Sequence, residues 1–294
     1  MPIGQPFTAL CQGLAELKSA RRADLHVHTT ESDGEYTPAQ VVELARRVGL
    51  AAVAITDHDT LAGAASARAA ARGVEVISGV EITAEHEGRE VHLLGYFVRE
   101  DHAPLNAALE QLRDRRRDRF HAMADKLRGC GVTIDDEMLA ESDHGGSLGR
   151  RTLAELLCAN GRVGSVREAF ARYLGDGGPA DLPKQRLPLE QAIALVRAAG
   201  GATSLAHPRQ TLTFSDLKLL NEAGLQAIEV EYPTHRAARV RDLREWASAL
   251  SMAITGGSDC HGPEPLYRGI GCRGITMEEL DALRVLTVSS SRGA

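Results

Sequence analysis

Aromatic residues and excess positive charge are both scarce in this chain of 294 residues. Only 4% of the residues are aromatic, and the formal net charge at pH 7 is −6. A protein that binds nucleic acid without cleaving it generally needs a basic stripe with interleaved aromatic side chains. The composition therefore argues against stable binding of duplex nucleic acid, and any anionic substrate must be attracted by local groups.

Long hydrophobic runs and paired cysteines are missing as well. No apolar run reaches the roughly 18 residues that indicate a membrane helix, and we find no signal-peptide pattern. The five cysteines are scattered and have no CxxC spacing, which excludes a disulfide framework and a zinc finger. We therefore predict a cytoplasmic protein with reduced thiols and no membrane partner.

Short apolar segments alternate with amphipathic helical patterns over most of the chain. This alternation predicts an α/β fold with a mainly parallel sheet that helices cover on the outer face. The segment GVEITAEHEGREVHLLGY (79–96) has an EG turn between two alternating stretches, which predicts a hairpin. The predicted strands cover 23–28, 51–56, 74–83, 90–97, 201–207, 226–232 and 251–259.

The alternation breaks between about residues 99 and 184. The segment 105–131 predicts one long charged helix, and 150–161 and 166–175 predict two more. Interleaved aspartates make RDRRRDR (113–119) typical of a solvated helix face. We predict a helical insertion over 99–184 that caps a site, an N-terminal helical extension over 1–21, and a barrel domain formed by 22–98 and 185–294.

Histidines and acids recur where the predicted strands end. His26 and His28 share one face of a strand, since side chains alternate along it, but a lone His-x-His is more often a simple polar pair. The carboxyl ends of strands carry the chemistry of α/β barrels, and buried imidazoles and carboxylates are costly unless they engage one another. The whole set therefore favours a metal site, with ligands His26, His28, Asp33, His58, Glu81, His92, His207, Asp259 and His261.

The type of ligand limits the type of ion. Imidazole and carboxylate without thiolate suit zinc, manganese or iron, and argue against magnesium alone or an iron–sulfur cluster. Nine ligands are too many for one ion, whereas a bridging carboxylate lets them serve several. We therefore predict two or three divalent ions (Mn, Zn or Fe).

Six motifs in fixed order resemble the PHP (polymerase and histidinol phosphatase) family. They are DLHVHTTESDG, AITDHD, GVE, VHLLGY, LAHP and GSDCH, and they span roughly 23–98 and 200–272. The SDG motif has Asp33 where many members have histidine. Together with the helical insertion, it resembles the subgroup that includes 3′,5′-nucleoside bisphosphate phosphatases and RNase AM-like exonucleases.

The resemblance implies a distorted (βα)7 barrel with a trinuclear metal centre. The first ion would be held by His26, His28, Glu81 and Asp259. Glu81 would bridge to a second ion held by His92 and His207. The third ion would be held by Asp33, His58 and His261.

The charge of such a centre favours phosphate esters as substrates. Three divalent ions and three carboxylates leave a positive surplus that suits a phosphate monoester dianion. We expect hydrolysis by a hydroxide that bridges the two ions joined by Glu81. His261 or His207, if its second ring nitrogen is free, is expected to protonate the leaving group.

The expected substrate is a small phosphorylated molecule, a nucleotide or a short oligonucleotide. The resemblance places a phosphate-binding arginine at Arg150, and a guanidinium suits phosphate. Alternatives are a histidinol-phosphate phosphatase and a catalytically silent PHP module that serves as an interaction scaffold. Further substrate-binding candidates near predicted strand ends are Lys184, Arg209, His235 and Arg268.

Overall fold

The structure, a computed structural model, describes residues 22–142 and 148–289. Nine strands of this part of the chain form one sheet in the order β8-β7-β6-β4-β3-β2-β1-β9, and β5 pairs with β3. The strands are β1 (Arg22–Val27), β2 (Ala52–Ile55), β3 (Glu75–His86), β4 (Arg89–Tyr96), β5 (Leu187–Pro188), β6 (Ala202–Leu205), β7 (Ala227–Glu231), β8 (Ala253–Gly256) and β9 (Ile275–Thr276).

The sheet curves into a nearly closed barrel. Strands β1 to β3 are mutually parallel, as are β6 to β8, and the antiparallel β4 joins the two sets. Beyond β8, the Asp259 amide donates to the carbonyl of His26 (2.8 Å) and the His28 amide donates to that of Cys260 (3.0 Å). The predicted α/β barrel is confirmed, and so is the hairpin over 79–96, which is β3 and β4.

Helices cover the sheet and fill the segment between β4 and β5. Within the described ranges, each helix is too short or too polar to cross a membrane. The helices are α1 (Pro38–Arg47), α2 (Ala62–Ala70), α3 (Ala103–Gly129), α4 (Asp136–Ser142), α5 (Arg150–Ala159), α6 (Val166–Ala169), α7 (Leu189–Ala198), α8 (Phe214–Glu222), α9 (Ala237–Ala249) and α10 (Met277–Ser289).

The helices expected between residues 99 and 184 are present. The long helix is α3, and α6 continues into a π-helical turn over Phe170–Leu174. Helices α3 to α6 share a hydrophobic core of their own, which includes Phe120, Leu153 and Leu157. That this segment is an inserted cap remains a prediction, and the predicted extension over 1–21 lies outside the described residues.

Side chains alternate along β1, so that its apolar residues face a helix and its polar residues face the inside of the barrel. Leu25 is fully buried in a cluster with Leu280 and Leu283 of α10, on the outer face of the sheet. The side chain of His26 points the opposite way and meets the carboxylate of Glu229 on β7, at 2.9 Å. Apolar residues thus fix the strand against a helix while its histidines enter the barrel.

Gly257 lets the chain after β8 pass close to β1. A Cβ atom at this position would lie 2.4 Å from the backbone nitrogen of His26. We expect Gly257→Ala to lower the free energy of unfolding by about 1–3 kcal/mol through overpacking, measured by urea denaturation. The matched control is Gly129→Ala, where an added Cβ meets nothing within 4 Å. Equal stability of the two variants would contradict this close-packed junction.

Candidate metal centre

Glu81 occupies the middle of the predicted ligand set. It lies on β3 and is only 1% exposed. Its two oxygens point at different histidines, which is the arrangement that a bridging carboxylate requires. Oε2 lies 3.3 Å from Nε2 of His26, 3.2 Å from Nε2 of His28 and 3.2 Å from Nδ1 of His58. Oε1 lies 2.8 Å from Nδ1 of His92 and 2.9 Å from Nε2 of His207.

Asp259 and Asp33 supply carboxylates on two further sides. Oδ1 of Asp259 lies 3.4 Å from Nε2 of His26 and 3.3 Å from Nε2 of His28. Oδ1 of Asp33 lies 3.6 Å from Nδ1 of His28 and 3.4 Å from Nε2 of His261. The structure therefore brings all nine predicted ligands together, although they come from six separate stretches of the chain.

The ligand atoms form three overlapping groups, each within 4.8 Å. One is the set expected for the first ion, and another is the set expected for the third ion with His28 added. The remaining group joins Glu81 and His92 to His58, and His207 lies near the same Glu81 oxygen as His92. The assignment of each ligand to one ion remains a prediction.

Unpartnered imidazole nitrogens show that this pocket fits metal ions. Nε2 of His26, both ring nitrogens of His28 and Nδ1 of His58 are buried without a well-aligned hydrogen bond to any described group. Buried polar atoms are nearly always hydrogen-bonded, so each exception needs an explanation. Imidazole nitrogens facing carboxylate oxygens are the donor set of zinc, manganese and iron sites.

The electrostatics of the pocket also call for cations. Burial alone would raise the pKa of Glu81 and Asp259, yet the surrounding histidines hold both pKa values well below their usual range. Burial opposes protonation of His28, but Asp259 and Glu81 outweigh it and raise its pKa to about 10. Without metal ions, protons bound to the histidines must balance the charge of these carboxylates. His58 does not take part, because burial lowers its pKa to about 3.

The predicted substrate-binding residues divide into two groups. Three lie next to the centre: Lys184 pairs with Glu90 at 2.8 Å, Arg209 donates to the Glu90 carbonyl, and Arg268 donates to Asp259. The other two lie farther out. His235 is 6% exposed and bonds the Val230 carbonyl, and Arg150 pairs with Asp176 at 2.6 Å.

Comparison with known proteins identifies the family. The family model described as PHP domain matches residues 24–168. A 5′-3′ exoribonuclease of Haemophilus influenzae is 32% identical over 83% of this chain and 91% of its own length. The chain belongs to the PHP family.

Other PHP proteins extend the comparison. A 3′,5′-nucleoside bisphosphate phosphatase of Chromobacterium violaceum is 31% identical over 84% of this chain and 90% of its own length. A phosphoribosyl 1,2-cyclic phosphate 1,2-diphosphodiesterase of Eggerthella lenta is 34% identical over 81% and 94%. A solved structure assigned as a metal-dependent phosphoesterase, from Bifidobacterium adolescentis, aligns with a TM-score of 0.79 at 30% identity over 90% of this chain and 96% of that one. The protein is a metal-dependent PHP phosphoesterase that hydrolyses phosphate esters.

Glu229 is a part of this PHP site that sequence reasoning missed. It is fully buried on β7, its Oε1 lies 2.9 Å from Nδ1 of His26, and its Oε2 accepts the His207 backbone amide at 2.6 Å. With Nδ1 of His26 donating to this carboxylate, Nε2 is left to bind an ion. The available signal was an acid inside the apolar strand AIEVE.

The arginine run on α3 corrects another expectation. Arg116 donates to the Asp59 carboxylate and Arg113 donates to the Asp59 carbonyl at 2.8 Å. Asp59 follows the predicted ligand His58 directly, and its own amide donates to the Glu81 carbonyl at 2.9 Å. The prediction of a purely solvated helix face is therefore wrong for these two arginines, because the fold brings α3 alongside the loop after β2.

Removal of divalent ions should destabilise the protein. A ligand that binds only the folded state at 100 times its Kd stabilises it by about 2.7 kcal/mol. We expect a chelator to lower the Tm and added Mn²⁺ to restore it, measured by calorimetry. The same experiment on Glu81→Gln should show little shift, and an equal shift in wild type and variant would contradict the central position of Glu81.

Glu229→Gln should weaken metal binding without removing a proposed ligand. The neutral amide no longer holds the His26 tautomer by charge, and loss of such a partner typically costs 10–100-fold in affinity. Titration calorimetry of metal-free protein measures this change. Glu231→Gln is the matched control on the same strand, because Glu231 pairs with Arg244 at 2.9 Å instead. Equal affinities of the two variants would refute the role of Glu229.

Proposed function

We propose that this PHP enzyme acts on phosphorylated nucleotides. It releases either the 3′-phosphate of a nucleoside 3′,5′-bisphosphate or the 5′-terminal nucleotide of a short RNA. The relatives from C. violaceum and H. influenzae carry the names of these two activities. The observation that supports a substrate with a second phosphate is a group of basic side chains beside the metal centre.

We call this group the cationic cluster; it consists of Arg119, Arg150, Lys184 and Arg186. It begins at Glu90, whose carboxylate contacts Lys184 at 2.8 Å and Arg186 at 2.9 Å. The same carboxylate lies 3.5 Å from Nε2 of His92. Lys184 and Arg186 are therefore separated from a predicted metal ligand by a single side chain, whereas Arg150 lies farther out, beside Arg119.

Crowding of like charges indicates that the cationic cluster suits an anion. Burial lowers the pKa of Arg119 and the positive charge of Arg150 lowers it further, while Asp181 and Glu90 act in the opposite direction. Burial also lowers the pKa of Lys184, which Glu90 partly offsets and to which Arg116 and Arg119 add. A phosphate group would relieve this repulsion and match the guanidinium geometry.

The cationic cluster also separates this proposal from its main enzymatic alternative. Histidinol phosphate has one phosphate and a positively charged amine, which the cluster would repel. The silent-module alternative lacks support for another reason, since all nine predicted ligand positions have side chains that bind metals. Hydrolysis of a nucleotide phosphate is therefore the proposal that gives a role to both the metal centre and the cationic cluster.

The residues of the centre divide the work of hydrolysis. Divalent ions bound here would activate water and neutralise phosphate oxygens. His261 is poorly suited to protonate the leaving group, because Nδ1 lies 3.0 Å from the Asp259 carbonyl and Nε2 lies 3.4 Å from Asp33. That role is left to His207: its Nε2 faces Glu81 at 2.9 Å, so its Nδ1 would carry the proton, and its side chain is 29% exposed.

Product release from a substrate panel tests the proposal, with inorganic phosphate measured for the phosphate monoesters and the 5′-nucleotide measured for the RNA. The panel contains a nucleoside 3′,5′-bisphosphate, a short 5′-phosphorylated RNA, a cyclic ribose phosphate, a sugar monophosphate and histidinol phosphate. We expect turnover of one of the first two and no turnover with Glu81→Gln. Release from histidinol phosphate alone would overturn the proposed substrate.

Lys184→Ala tests the contribution of the cationic cluster. Loss of one charge-assisted hydrogen bond costs about 1.5–3 kcal/mol, so KM for the bisphosphate should rise at least about tenfold. KM for a substrate with a single phosphate should change little. Lys218→Ala is the control, since that lysine is exposed on α8 and lies 3.9 Å from Glu222. An equal change for both substrates would rule out a second phosphate site here.

A further inference from the structure

Two neighbouring hydrophobic side chains are exposed at the end of the barrel that holds the metal centre. Leu266 is 80% exposed and Tyr267 is 61% exposed. They belong to a single 3-10 turn, Leu266–Arg268, in the loop after β8. Isolated exposed hydrophobics are ordinary, but an aromatic and an aliphatic residue side by side on a turn next to a polar site need a reason.

Arg268 ties this turn to the metal centre. Its guanidinium donates to the Asp259 carboxylate and lies 5.4 Å from the centre of the Tyr232 ring. The hydroxyl of Tyr232 donates to the same carboxylate at 2.8 Å. Tyr267 directly precedes Arg268 in this turn, so it lies one residue from a side chain that contacts the metal centre.

We propose that Tyr267, with Leu266 beside it, is the stacking surface for the base of the nucleotide substrate. This inference rests on the proposed function. Aromatic side chains hold bases by stacking and tolerate any base, since every base has a π-face. Tyr232 cannot take this role, because it is only 7% exposed and its hydroxyl is bound to Asp259.

The proposed stacking surface and the cationic cluster are linked to different ligands of the centre. The stacking surface is linked to Asp259 through Arg268, whereas the cationic cluster is linked to His92 through Glu90. A nucleoside bisphosphate has three groups to place: the reacting phosphate, the second phosphate and the base. The three sites correspond to these three groups. A second copy of this chain is a poorer occupant, because two side chains fall far short of the roughly 800 Å² per partner of a stable interface.

The test compares two substrates that differ only in the base. One is a nucleoside 3′,5′-bisphosphate, and the other is the same ribose bisphosphate without a base. For Tyr267→Ala we expect KM to rise about 5- to 150-fold on the nucleotide, the range that loss of one base stack produces. Its kcat, and its kinetics on the baseless substrate, should stay close to those of the wild type.

Two control variants isolate the aromatic ring. Tyr267→Phe keeps the ring without the hydroxyl and should retain the wild-type KM. Phe214→Ala removes a different exposed aromatic, which is 38% exposed on α8 and packs near Trp246, and should also leave KM unchanged. Size-exclusion chromatography of each variant shows whether the oligomeric state changes.

Each remaining outcome would overturn the stacking proposal. A wild-type KM for Tyr267→Ala on the nucleotide would refute it while leaving the proposed function intact. Equal losses on both substrates, or a changed oligomeric state, would show that the turn supports the fold or a second copy. A wild-type enzyme that turns over neither bisphosphate would overturn the stacking proposal, and it would overturn the proposed function as well only if short 5′-phosphorylated RNA also stayed uncleaved.

Discussion

The structure depends on a buried cluster of negative charge that only cations can balance. Glu81 is almost fully buried and has five imidazoles around it. Isolating a carboxylate from water is very unfavourable unless opposite charge is close. In the pocket this charge comes either from protons on histidine or from divalent ions. Metal binding is therefore part of the stability of the barrel mouth as well as of the chemistry.

Three of the six non-glycine residues with a positive φ in the described ranges lie at the same place. Asp59, His207 and Asp259 have φ values of 54°, 27° and 51°, a region that residues other than glycine seldom occupy. Amide hydrogen bonds hold all three there: the Asp59 amide donates to the Glu81 carbonyl, the His207 amide to the Glu229 carboxylate and the Asp259 amide to the His26 carbonyl. Such strain persists only where the surroundings over-determine the conformation, which is typical of functional sites.

Acidic and basic side chains are segregated around the site, which would let a chain with a net charge of −6 bind an anionic substrate. The acids lie at the bottom of the barrel mouth, where ions would reverse their sign. The basic residues lie at the edge, and Glu90 partly neutralises Lys184 and Arg186. Focused local fields of this kind attract an anionic substrate without making the whole surface basic.

The sequence by itself determined the fold class, the β3–β4 hairpin and the nine candidate ligands. Strand periodicity and the position of each strand end are local properties, and parallel strands bring their carboxyl ends to one rim. His26, His58 and Asp259 could therefore be assigned to one site without coordinates. The ordered motifs then added the family.

The tertiary structure alone decided how these residues are supported. Glu229 had an informative signal, an acid within an apolar strand, but its contact with His26 spans 203 residues of sequence. The contacts of Arg116 with Asp59 and of Arg268 with Asp259 depend on how α3 and the loop after β8 pack against the barrel. Such contacts are set by strand register, helix packing and side-chain rotamers, which no local pattern of residues specifies.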